Sequence, residues 1–245
     1  MSISIQVNPD AGKPGNNDPA VIRPDALFPV TRQLGYYLSL LFIRLPVSAN
    51  QVTFLSMIIG LSGSALFLKG EFQSNIYGAL LLVLSYALDY CDGVIARLRD
   101  QSSAFGAAFD DFVDWIVDTA FFASLGFGTW SATDENWWLW LGLIAAVGST
   151  IDYIIDLIRL NRFKIARLAA EKQASGETEP EPENSTAEDA TFRKKLFYVF
   201  HTLSRAEFCI IVLVLSAFDV VWVLLPFGAI GAQAFWLGDL FRKHD

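Results

Sequence analysis

LDYCDGVIARLRDQSSAFGAAFDDFVDWIVD, residues 88–118, sets Asp89 and Asp92 before a short polar connection and Asp110, Asp111, Asp114 and Asp118 after it. The residues on either side are apolar enough for a lipid bilayer. A carboxylate at membrane depth is costly, and it is kept when it is paired, binds a metal or faces a watery cavity. How these acids are arranged decides both the fold and the chemistry.

Outward from this stretch the chain stays greasy. It has 245 residues, 53% of them hydrophobic and 14% aromatic, with a mean hydropathy of +0.39. A membrane-crossing helix needs ~20 apolar residues. Six runs qualify: 50–69, 75–97, 104–130, 137–159, 196–218 and 220–241. The expected fold is an all-α integral membrane protein with six transmembrane helices. Residues 26–46 mix Arg with Leu, Tyr and Phe, which suits an amphipathic helix lying in the membrane interface before the first span.

Six spans put both termini on one side. Arg44, Arg97, Arg99, Arg159, Arg162 and Lys164 fall on that side, and the opposite loops contain only Lys69. The positive-inside rule makes that side cytoplasmic, and Arg99, Arg162 and Lys164 serve it. Residues 1–25 read as a disordered cytoplasmic tail without a signal-peptide layout. Residues 26–241 form one membrane domain, and 242–245 end in the cytoplasm. Within the domain, residues 172–190 (KQASGETEPEPENSTAEDA) hold much of the acidity behind the net charge of −8. They read as a disordered acidic loop. Nothing here indicates nucleic-acid binding. Cys91 and Cys209 lack metal or disulfide spacing and read as packing residues. Trp137, Trp138 and Trp140 read as an aromatic belt.

The acids converge at the cytoplasmic third of the membrane. Asp89 and Asp92 are three apart on one helix face. Gly106, Asp110, Asp114 and Asp118 are spaced by four and form a slanting row. So many carboxylates cannot stay ionised together without cations, and hard oxygen ligands suit Mg²⁺, Mn²⁺ or Ca²⁺. A carboxylate cage of this kind suits phosphate chemistry, because two metals can clamp a diphosphate. Gly93 and Gly106 leave room for a ligand near the backbone or for close helix packing; their position allows either. Asp111 points away from Asp110. Asp118 continues the row by one turn and either orients a ligand or pairs with a buried polar group.

Asp89, Asp92, Gly93, Ala96, Arg97, Gly106, Asp110 and Asp114 fit the pattern DxxDGxxAR(x8)GxxxDxxxD. In this the chain resembles the CDP-alcohol phosphotransferase family, membrane enzymes of phospholipid biosynthesis. The resemblance implies that Asp89, Asp92, Asp110 and Asp114 hold a pair of Mg²⁺ or Mn²⁺ ions and that Asp114 is the catalytic base. It implies that Gly93, Ala96, Arg97 and Gly106 line the CDP pocket, together with Asn50 and Thr53 from a Pro-Asn-x-x-Thr-like element in which Ala49 replaces the proline. The implied reaction transfers a phosphatidyl or substituted phosphoryl group from a CDP-linked donor, CDP-diacylglycerol first, to an alcohol, with release of CMP. The stretch is most similar to the branch using inositol phosphate, so inositol phosphate or glycerol phosphate is the expected acceptor. Arg159 and Arg205 are candidates for holding its phosphate. A homodimer in a bacterial or archaeal inner membrane, with the site facing the cytoplasm, is also what the resemblance implies. The competing reading is a divalent-cation transporter or channel. It predicts acids near the midplane and paired repeats with broken helices, and the chain has no such repeat.

Overall fold

The computed structural model describes residues 30–173 and 208–241, with side chains placed for 30–159 and 208–234. Among these residues the protein is wholly helical: α1 (Val30–Phe42), α2 (Ala49–Leu66), α3 (Phe72–Leu98), α4 (Ala104–Thr133), α5 (Asn136–Gln173), α6 (Phe208–Ala217) and α7 (Leu224–Phe241).

Among the described residues, three helical stretches are both long and apolar enough to cross a membrane: Ala49–Lys69, Phe72–Leu98 and Asn136–Arg159. Six spans were expected. The 30 residues of α4 reach about 45 Å, but its four aspartates interrupt the apolar run. The described part of α6 is ten residues long. In α5 the helix continues to Gln173, past the Arg159 at which its apolar run ends and into the first two residues of the expected 172–190 loop. The rest of that loop and the chain ends at 1–25 and 242–245 lie outside the described residues.

α1 fills the middle of the expected 26–46 element. Thr31, Gly35, Tyr36 and Ser39 are buried. A Cβ on Gly35 would stand 2.6 Å from the Tyr90 ring and 2.9 Å from the Ala87 carbonyl, so α1 sits directly on α3. Its other side exposes Val30, Leu34, Tyr37 and Leu41. The helix thus sets small and hydroxyl-bearing residues against α3 and exposes an apolar stripe.

α2 is started by Ser48, whose hydroxyl accepts from Gln51 N while the Gln51 amide accepts from Ser48 N. This reciprocal cap satisfies two of the free donors of a helix start. α2 packs on α3 and α4, α5 on α4 and α7, and α6 on α3. The shared core contains Phe67, Leu82, Val113, Val117, Phe121, Leu125, Val212 and Leu225. Phe67 meets Phe121 edge to face at 5.0 Å. Beyond Phe67 the chain turns through Gly70, whose φ of 63° favours glycine. There the backbones nearly touch, because a Cβ on Gly128 would lie 1.9 Å from the Phe67 carbonyl oxygen. Close approach through small residues is the usual packing device in membranes.

Trp138 departs from the expected aromatic belt. It is buried and packs against Trp222 at 5.3 Å, whereas Trp140 is exposed. Cys91 and Cys209 are buried and form no disulfide among the described residues, as packing residues should.

Candidate metal centre

The last turns of α3 and the first turns of α4 meet because their connection is short. Ser103 starts α4, its hydroxyl accepting from Gly106 N at 3.0 Å. Arg99 and Asp100 end α3, Asp100 with a left-handed φ of 53°. This geometry faces Asp89 and Asp92 toward Asp110. One carboxylate oxygen from each of the three lies within 4.8 Å of the others.

The surroundings of these oxygens are informative. Asp92 is 5% exposed. Asp89 Oδ1, Asp92 Oδ2 and Asp110 Oδ1 are buried and accept no hydrogen bond from the protein. Buried acceptors are nearly always satisfied, and leaving one unmade costs ~1–3 kcal/mol, more when charged. Three ionised carboxylates gathered this closely also repel. A hard divalent cation removes both penalties, since Mg²⁺ and Mn²⁺ take carboxylate oxygens as ligands. The donor set therefore fits the expected metal.

Asp114 stands one turn further along α4, outside this group of three. It lines a small adjoining cavity with Asp89, Asp118, Ser56, Ser85 and Tyr86. Ser85 is fixed by donating to the Ser56 carbonyl at 2.8 Å. The Tyr86 hydroxyl donates to Asp118 Oδ1 at 2.8 Å, so Asp118 pairs with a buried polar group, one of the two roles expected of it. Asp111 is exposed.

The residues expected to line a nucleotide pocket gather around the same acids. Thr53, buried on α2, reaches the Asp92 carboxylate. Asn50 Oδ1 would lie 3.3 Å from a Cβ on Gly106. At Gly93 an added Cβ would meet only the Arg97 guanidinium, 3.6 Å away. Arg97 is exposed and Ala96 half-buried. Of the two arginines assigned to an acceptor phosphate, Arg159 forms an ion pair with Asp156 at 3.6 Å. Arg205 lies outside the described residues.

Sequence reasoning missed Tyr86, Ser56 and Ser85. Tyr86 carries a usable signal: it precedes Asp89 by three, so it shares that face of α3. The serines belong to no motif. It also gave Arg99 to membrane orientation, whereas the Arg99 guanidinium turns inward onto the backbone carbonyls of Ile43, Leu45 and Val47.

A profile of the family described as CDP-alcohol phosphatidyltransferase matches residues 46–229. Among curated proteins, a bifunctional IPC transferase and DIPP synthase of Rubrobacter xylanophilus is 35% identical over 83 residues, covering 34% of this chain and 18% of that protein. The phosphatidylinositol phosphate synthase of Corynebacterium glutamicum is 33% identical over 99 residues, covering 40% of each. These matches span less than half the length of either relative. A crystal structure of phosphatidylinositol phosphate synthase from Mycobacterium tuberculosis with CDP-DAG bound is similar at 21% identity and a TM-score of 0.49, over 84% of this chain and 92% of that one. The family match takes in α2, α3, α4 and every aspartate of the centre, and on that extent the chain belongs to the CDP-alcohol phosphatidyltransferase family.

Proposed function

We propose that this protein transfers a phosphatidyl group from CDP-diacylglycerol to the hydroxyl of a phosphorylated alcohol, releasing CMP. The observation that carries the reading is the group of three aspartates that bring one carboxylate oxygen each within 4.8 Å of the others, each of the three also having a buried oxygen that accepts no hydrogen bond. Inositol phosphate is the first acceptor to test, because relatives include a phosphatidylinositol phosphate synthase; glycerol phosphate is the second.

Asp89, Asp92, Asp110 and Asp114 hold two Mg²⁺ or Mn²⁺ ions in this reading, and the bound cations supply charge neutralisation for the diphosphate and the departing CMP. Asn50, Thr53, Gly93, Ala96, Arg97 and Gly106 hold the CDP group. Asp114 accepts the proton of the acceptor hydroxyl. The acceptor oxygen bonds to the β-phosphorus as the bond from that phosphorus to the bridging oxygen breaks. The electron pair leaves with CMP. Arg159 and Arg205 bind the acceptor's phosphate. Positioning supplies much of the rate in such a step, because the protein adds little covalent chemistry.

The centre faces the cytoplasm, with six spans, both termini on that side and α1 in the interface. The exposed stripe of Val30, Leu34, Tyr37 and Leu41 supports contact between α1 and lipid. The working unit is a homodimer.

The test is CMP release by purified protein with Mg²⁺ and CDP-diacylglycerol, with inositol phosphate, inositol, glycerol 3-phosphate, serine or choline in separate reactions. Release with a phosphorylated alcohol, reduced at least ~100-fold in Asp114→Asn, is the expected result. Release that Asp114→Asn leaves at the wild-type rate removes Asp114 as the base. No release with any acceptor overturns the reading.

A further inference from the structure

The turn that leads into α2 is held from outside its own helix. Three carbonyls of this turn, those of Ile43, Leu45 and Val47, converge on the guanidinium of Arg99, with the Ile43 contact at 3.0 Å and the Leu45 contact at 2.6 Å. Two residues on, Gln101 Oε1 accepts from Ala49 N at 3.0 Å. Arg99 and Gln101 both belong to the connection between α3 and α4. They occupy unspecified positions of the DxxDGxxAR(x8)GxxxDxxxD pattern, between Arg97 and Gly106.

The effect of these contacts is local. Ala49 is the first residue of α2, so its N–H is one of the donors a helix start leaves unmet. Gln101 fills it, and Ser48 and Gln51 fill two more. The next residue is Asn50, which faces Gly106, and one turn later comes Thr53, which faces Asp92. The loop that sets the spacing of the acids thus also sets the register of α2 against them. Lysine could not replace Arg99, since only the planar fork serves several carbonyls at fixed angles.

We propose that Arg99 and Gln101 are positioning residues for the cytidine-nucleotide pocket, acting through Asn50 and Thr53 by fixing the start of α2 against the α3–α4 connection. This rests on the proposed CDP-dependent reaction, but it is tested by nucleotide binding as well as by turnover.

The experiment measures the Kd for CDP in the presence of Mg²⁺, and KM and kcat with CDP-diacylglycerol, for wild type, Gln101→Ala, Gln101→Glu, Arg99→Ala and Arg99→Lys. Each is made in the native and the Asn50→Ala backgrounds. The expected result is a rise in Kd and KM of about fivefold to tenfold for Gln101→Ala, Arg99→Ala and Arg99→Lys, with kcat within about twofold. Gln101→Glu keeps the acceptor oxygen and restores wild-type values. In the Asn50→Ala background the further loss from Gln101→Ala shrinks, because the two residues act on one pocket. Unchanged Kd in both alanine variants overturns the proposal. So does a loss in which kcat and melting temperature fall together with the rise in KM and Gln101→Glu rescues nothing, since that pattern marks general unfolding. Wild-type protein that binds CDP without turnover would refute the proposed reaction and leave the positioning role measurable by Kd alone.

Discussion

Asp92 and Tyr86 sit two turns apart on α3 and do different work. Asp92 is one of three carboxylates turned toward a common point. Removing its charge should weaken metal binding rather than unfold the helix. We expect Asp92→Asn to lower Mn²⁺ affinity by at least about tenfold, read by titration of Mn²⁺ into chelator-treated protein. Chelation should stop CMP release by wild type, and added Mn²⁺ or Mg²⁺ should restore it. Equal Mn²⁺ affinity in wild type and variant would remove Asp92 from the ligand set. Tyr86→Phe deletes the donor to Asp118. A buried hydrogen bond of this kind contributes ~0.5–1.5 kcal/mol, more when the acceptor is charged. A lower unfolding midpoint in detergent, with kcat kept within a few-fold, is the expected outcome. A collapse of kcat by three orders of magnitude would instead place Tyr86 in the chemistry. At this scale the sequence was informative where residue type and spacing coincide with the chemistry, as for Asp89, Asp92 and Asp110. It was silent for Ser56, whose contribution is a backbone carbonyl offered to Ser85. No side-chain pattern encodes that.

At the scale of elements, helix starts and close approaches decide the geometry. The capping of α2 by Ser48 was unread, although Ser-x-x-Gln stands in the sequence as a capping box. The brace by Arg99 and Gln101 could not be read at all. It links residues 52 to 56 positions apart through a turn whose path exists only in the fold. Length and hydropathy located the cores of α2, α3, α4 and α5 within a few residues at most ends. The apolar run of α5 ends at Arg159 as expected, and the helix continues beyond it to Gln173, because helix formation does not require hydrophobicity. The contact of α2 with α4 makes its own prediction. Gly128→Val would drive a side chain into the Phe67 carbonyl, 1.9 Å from its Cβ. Overpacking usually costs ~1–3 kcal/mol, and backbone has less freedom to yield than a side chain. The variant should show a clear drop in unfolding midpoint, while Gly231→Ala, with nothing within 4 Å, should leave it unchanged. Equal midpoints for Gly128→Val and wild type would refute the close approach.

For the whole molecule, the acids and the cavity gather at one end of the α3–α4 pair. Toward the other end, α4 continues from Asp118 into Phe121 and Leu125, and α3 runs back from Tyr86 to Leu82 and Ala79. These four apolar residues and their neighbour Phe67 are at most 2% exposed. A transporter needs a route past that point, where these side chains are buried. Protein reconstituted in liposomes should therefore pass no Mn²⁺ when a gradient is applied. Sustained uptake would favour the transport reading over the enzyme. The edge-to-face pair of Phe67 and Phe121 has a further consequence in electrical terms. A site rich in carboxylates, proton-accepting and wet from one side, is a potential short circuit in an energised membrane. In the proposed orientation the buried aromatic pair behind it would work as insulation, letting a cell hold such a site open to its cytoplasm without discharging the voltage it lives on.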